Sequence, residues 1–229
     1  MARTGGAGAL TGDDAPDATR RPLRIGLTGP IGCGKSTAAR WLVAWGGTAI
    51  DADALARDVT RPGEPAHDAI LAHFGARVRA PDGTLDRAAL AALVFVDPEA
   101  LRELEAIVHP AVRPRILAAL ADVERAGADM VVIEAIKLIE SGYAPLLDEV
   151  WLITCPPEEQ LARLAGRGQS EADARRRIDA QFGLVERLAP VATRVIDMGG
   201  SRDAAQRRIA GALTAALAAA PESETGRRG

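Results

Sequence analysis

The sequence predicts an α/β fold, a three-layer core in which helices cover both faces of a five-stranded parallel sheet. Three observations carry this. Five short β-type runs occur, at Leu23–Thr28, Thr48–Asp51, Met130–Glu134, Val150–Thr154 and Val195–Asp197. Longer amphipathic stretches separate them, as the crossovers of a parallel sheet require. The runs are apolar almost throughout rather than alternating, the mark of strands covered on both sides.

Helical patterns follow at Lys35–Trp45, Ala52–Val59, Pro65–Phe74, Asp86–Phe95, Glu99–Ile107, Ala111–Arg125, Pro157–Arg167, Ser170–Gln181 and Asp203–Ala218. Ser170 with Asp173 forms a capping-box pattern at the start of its helix. A proline at 110 is expected to open a new helix rather than continue the previous one. Roughly 75 residues separate the second and third runs, far more than a crossover needs, so residues 60–125 are expected to form a helical insertion. Residues 1–22 and 219–229 lack periodicity and are expected to be a disordered leader and tail around one domain at 23–218.

Composition narrows the function. The 229 residues carry 28 Lys+Arg against 31 Asp+Glu, for a net charge of −3, and only 3% aromatics. A dedicated nucleic-acid binder would carry a basic field or aromatic stacking platforms. No apolar run is long enough to cross a bilayer, and the leader has neither a signal-peptide core nor transit-peptide character. Two cysteines, Cys33 and Cys155, make no disulfide framework and point to a reducing, cytoplasmic setting. Oligomeric state is not legible.

The chemistry starts at Gly29-Pro30-Ile31-Gly32-Cys33-Gly34-Lys35-Ser36, which fits G-x-x-x-x-G-K-[ST] between a strand and a helix. Such a loop turns its backbone N–H groups around phosphate oxygens, with the helix N-terminus behind them. Lys35 is placed to reach the β- and γ-phosphates, and the Ser36 hydroxyl to join Mg²⁺. ATP with Mg²⁺ is therefore the expected nucleotide. The loop alone does not name the acceptor. Asp51 and Asp53 end the second run on the same rim. One carboxylate is expected to take a hydroxyl proton or hold Mg²⁺ through water, and the other to cap a helix. Arg163 and Arg167 lie near Gly166-Arg167-Gly168 in an expected lid at 163–180, which could bring guanidinium groups to a transferring phosphoryl. Arg175, Arg176 and Arg177 read more simply as a solvated face. His109 reads as a buried residue at the lobe junction or as an acceptor contact. Arg87 could meet acceptor phosphates or pair with Asp82. Trp41 and Trp45, four apart, read as core. Gln181 reads as structural.

The segments GLTGPIGCGKST and IDADALARDVTRPGEPA, with FGARVRAPDGTLDRAALAALVF, IVHPAV and EEQLARLAGRGQSEADARRRIDAQ, resemble the dephospho-coenzyme A kinases, a P-loop family of the nucleotide-monophosphate-kinase-like group. The similarity covers roughly residues 23–215. It implies transfer of the ATP γ-phosphate to the ribose 3′-hydroxyl of dephospho-coenzyme A, the last step of coenzyme A synthesis. By position it makes Asp53 the general base, with Asp51 its neighbour. It also implies that Gly29, Gly32, Cys33, Gly34, Lys35, Ser36 and Thr37 hold the ATP phosphates. Arg167 matches a lid arginine. Two departures stand out. Ile136-Lys137-Leu138-Ile139-Glu140 replaces a Pro-Leu-Leu-x-Glu segment, of which Glu140 fits, and Asp197-Met198-Gly199 replaces an Asp-Asn-Gly segment near the adenine. Two other readings stay open on the residues alone: a P-loop kinase of another small hydroxyl or nucleotide acceptor, and a nucleotide-switched regulatory protein.

Overall fold

The computed structural model describes residues 21–220, so the expected leader and tail lie almost wholly outside the described residues. Its sheet is parallel throughout, with strands in the order β2-β3-β1-β4-β5. Strand β1 (Leu23–Thr28) is central and leads through the glycine-rich loop into α1 (Lys35–Ala44). The edge strand β2 (Thr48–Asp51) runs directly into α2 (Ala52–Asp58). The insertion consists of α3 (Pro65–Phe74), α4 (Arg87–Val96) and α5 (Pro98–Arg125), and returns the chain to β3 (Met130–Glu134). After β4 (Glu149–Thr154) come α6 (Pro157–Ala165), α7 (Glu171–Asp179) and the short α8 (Leu184–Leu188). Strand β5 (Arg194–Asp197) and α9 (Arg202–Ala219) close the fold.

The period-2 geometry of the strands explains why their sequences are apolar throughout. In β3, Met130 and Val132 enter the core shared with Leu42 of α1 and Ile209 of α9, whereas Val131 and Ile133 enter the core shared with Ile116 and Leu120 of α5. A separate small core, built on Ile70, Phe74, Val78 and Leu90, holds the insertion together.

One expectation is corrected. The patterns at Glu99–Ile107 and Ala111–Arg125 are a single helix, with Pro110 and Pro114 inside it. Asp97 caps its start, accepting from the N–H groups of Glu99 and Ala100 at 2.9 and 3.2 Å. Both prolines are exposed, so water can satisfy the carbonyls they leave unpaired. Ala100 packs in the insertion's core while Val112, Ile116 and Leu120 pack under the sheet, and burial at both ends holds the helix continuous across the breakers. Helix α8 was not anticipated, because five residues are too few to show a period.

Candidate active site

The glycine-rich loop closes over a buried lysine. Gly29, Gly32 and Gly34 have φ of 134°, 78° and 102°, where a side chain would be strained. At Gly29 the reason is also steric, since a Cβ there would stand 2.1 Å from the Ile153 carbonyl oxygen of β4. No side chain caps α1, whose N-terminus is Gly34, so its first turn is left facing the loop's interior. Lys35 donates from Nζ to the Gly29 and Pro30 carbonyls at 2.7 and 3.1 Å. Burial holds its ammonium below the usual lysine range, with Glu134 and Asp53 opposing that shift. Two glutamines, from α6 and from the turn after α7, fix the loop. The Ile31 N–H donates to Gln181 Oε1, and Gln160 Nε2 donates to the Ile31 carbonyl, both at 2.7 Å.

Carboxylates gather opposite the loop because β2, β3 and β1 lie side by side and end on one rim. Ser36 Oγ donates to Glu134 Oε1 at 2.7 Å. Asp51 caps α2, accepting from the Ala54 N–H at 2.8 Å. Asp53, two residues on, lines instead the space between the loop and β2. Burial raises its carboxyl above the usual range, and Asp51 adds to the rise, while the Ile136 N–H and Lys35 act against it.

Besides a wide surface hollow of about 590 Å³ over Arg40 and Val43 of α1, three cavities meet here. The first, of about 230 Å³, lies between the loop and β2 and is lined by Lys35, Ser36, Asp51, Asp53, Glu134 and Arg167. A second, of about 410 Å³, runs along the far side of the loop past Thr37, Trp41, Arg163, Arg167, Met198 and Arg202. The third, about 230 Å³ and more apolar, is walled by α2, α5 and the turn after β3. Asp53, Glu105, His109, Lys137, Ser141 and Tyr143 supply its polar groups.

The sequence model of dephospho-CoA kinase matches residues 23–203. The chain belongs to the dephospho-CoA kinase family. A dephospho-CoA kinase from Geobacter metallireducens is 45% identical over 188 residues, covering 82% of this chain and 93% of that protein. Among solved structures, a Thermus thermophilus protein superimposes with a TM-score of 0.73 at 36% identity, covering 86% of this chain and 99% of its own. A dephospho-CoA kinase from Campylobacter jejuni superimposes with a TM-score of 0.59 at 27% identity, over 83% and 95% of the two chains. The chain is therefore an ATP-using kinase of the last step of coenzyme A synthesis, transferring phosphate to an alcohol. The regulatory-switch and other-acceptor readings fall with that membership.

In this dephospho-CoA kinase fold, Gly32, Gly34, Lys35, Ser36, Asp51, Asp53 and Arg167 come together around the first cavity. Gly29 shapes the loop behind them. Thr37, Arg163 and Met198 line the second cavity, and His109 the third, where its Nε2 lies 3.2 Å from Ser141 Oγ. Arg163 is already engaged, donating to the Cys33 carbonyl at 3.3 Å, the Met198 carbonyl at 2.7 Å and Glu159 at 2.6 Å.

Other expectations move elsewhere. Arg87 does not pair with Asp82, which binds Thr84 instead; its guanidinium holds Thr60 and the Arg57 carbonyl and lines none of the three cavities. Glu140 is exposed and also lines none of them. Arg175 and Arg176 pair with Glu171 and Asp173 on the surface of α7. Trp45 is exposed rather than core, and Trp41, although buried, presents an edge to the second cavity. Cys33 and Cys155, expected as thiols of a reducing setting, are instead bonded to each other across 122 residues, with Cα atoms 5.0 Å apart. The sequence separation hides what the fold enforces, because the loop after β1 lies against the end of neighbouring β4. Glu134 and Lys137 were not anticipated as site residues. The signal for Glu134 was a charge closing an otherwise apolar strand on the rim that carries the loop.

Proposed function

We propose that this kinase transfers the ATP γ-phosphate to the ribose 3′-hydroxyl of dephospho-coenzyme A with Asp53 as general base. One observation carries the assignment: Asp53 is the single side chain lining both the loop cavity and the third cavity, so it faces the phosphates on one side and an acceptor on the other. Its raised carboxyl affinity for protons suits a group that takes the hydroxyl proton as oxygen attacks the γ-phosphorus and ADP departs. Gly32, Cys33, Gly34, Lys35, Ser36 and Thr37 would cradle the phosphates. Lys35 leaves its loop carbonyls for the β- and γ-oxygens, and Arg167 approaches from the lid.

The donor set fits magnesium, since Ser36 and Glu134 put two hard oxygens within 2.7 Å of each other beside the phosphate cradle. An ion held by these two and by nucleotide oxygens would spread the charge of the transferring phosphoryl group. We assign the helical insertion at 60–125 to acceptor binding and the segment at 163–180 to a lid, with dephospho-coenzyme A entering the third cavity. Among the described residues no helix is long and apolar enough to cross a membrane. We place the enzyme in the cytoplasm, where its nucleotide is.

The test is Asp53→Asn, measured by ATP binding and by ADP release with dephospho-coenzyme A. ATP affinity should stay within about 2-fold while turnover falls by ~10²-fold or more. Undiminished turnover would remove Asp53 from the role.

A further inference from the structure

The third cavity must accept an anion, yet two of its polar walls, Asp53 and Glu105, are carboxylates. Lys137 is the one permanently cationic side chain lining it. Its ammonium is held by Glu105 across the cavity wall, from the turn after β3 to α5. Lys137 is 42% and Glu105 24% exposed at the side chain, so this is a half-solvated pair of the weak kind, readily exchanged for a better anion.

The residue type is informative in this chain. Of its 28 basic residues only Lys35 and Lys137 are lysines, the rest being arginines. Arginine serves the surface pairs of α7 and the carbonyl contacts made from Arg87 and Arg163. Lysine stands at the two places where a compact charge on a flexible stem faces a cavity. For Lys35 the counterpart is the nucleotide's phosphate.

We propose that Lys137 is a positioning and specificity residue for the acceptor, leaving Glu105 to bind the 5′-diphosphate of dephospho-coenzyme A while the ribose 3′-hydroxyl of the same nucleoside lies at Asp53. The inference rests on the acceptor assignment made above. It gives the segment that departs from Pro-Leu-Leu-x-Glu a use: Ile136 supplies an N–H to Asp53, and its neighbour supplies the cation one ribose away. Glu105 is the partner that the lysine would give up for the diphosphate.

The experiment compares two acceptors that share the ribose hydroxyl, dephospho-coenzyme A and adenosine, which has no phosphate. With Lys137→Met, KM for dephospho-coenzyme A should rise by roughly 10-fold or more, with KM for ATP unchanged and the adenosine constant, read as KM or Ki, moved by less than about 2-fold. Lys137→Arg should recover part of the loss. Glu105→Gln, which releases the lysine, should lower KM for dephospho-coenzyme A, and it supplies the test if Lys137→Met does not fold. An equal loss for both acceptors would make Lys137 a structural wall and overturn the proposal, as would no loss for either. If the unmodified enzyme failed to phosphorylate dephospho-coenzyme A, the acceptor assignment itself would fall.

Discussion

Asp51 and Asp53 show how two positions at the start of one helix divide identical side chains between structure and chemistry. Both stand at the end of β2 in a sequence that leaves their roles interchangeable. The fold separates them: Asp51 closes the start of α2, and Asp53 enters the cavity. Burial first, and Asp51 second, raise the Asp53 carboxyl. A base must be ionised to act, so activity should fall on acidification at a pH above the ordinary carboxylate range. Removing the negative charge of Asp51 makes Asp53 easier to ionise. Asparagine is as good an N-cap as aspartate, so Asp51→Asn removes the charge and keeps the helix start. The acid limb of kcat/KM should therefore move to lower pH in Asp51→Asn, with the melting temperature little changed. A limb that stays in place would show that another group sets it.

At the scale of elements, strands and caps were legible where one local property decides them. Burial on both faces makes β1, β3 and β4 apolar runs whatever surrounds them, and Ser170 announces α7 by itself. Helix α5 was not legible, because local rules break it at proline and only its two packed ends hold it together. The same holds for the site. The loop could be read as a contiguous motif, whereas Glu134 meets Ser36 only through strand order, and Lys137 meets Glu105 across 32 residues. The cost of the helix breakers is measurable. Pro114 lies on the exposed side of α5, lines none of the three cavities, and denies the Pro110 carbonyl its usual partner. Pro114→Ala should stabilise the protein by about 1–3 kcal/mol, read from urea unfolding with activity unchanged. A destabilised variant would mean that the helix bends there by necessity.

Over the whole molecule, the segment proposed as a lid reaches the loop cavity through one side chain. Arg167, just beyond α6, lines both the loop cavity and the larger cavity beside it. Among the described residues its guanidinium has no hydrogen-bonded or ion-paired partner, while Arg163, four residues earlier, is spent on Glu159 and on the carbonyls of Cys33 and Met198. Two arginines on one short segment thus divide the work. Arg163 ties the end of α6 to the loop and to the turn after β5. Arg167 is left uncommitted, which suits the role proposed for it, stabilising charge that develops in the transition state. Arg167→Ala should lower kcat by ~10²-fold or more with only a few-fold change in ATP affinity and an unaltered melting temperature. Arg167→Lys should recover little, because a point charge lacks the two-pronged fit to phosphoryl oxygens. Arg163→Ala should do the opposite, lowering the melting temperature and weakening ATP binding more than it slows turnover. If the two variants proved alike in both respects, the separation of anchor from catalytic cation would be wrong, and the lid would act as a single electrostatic surface.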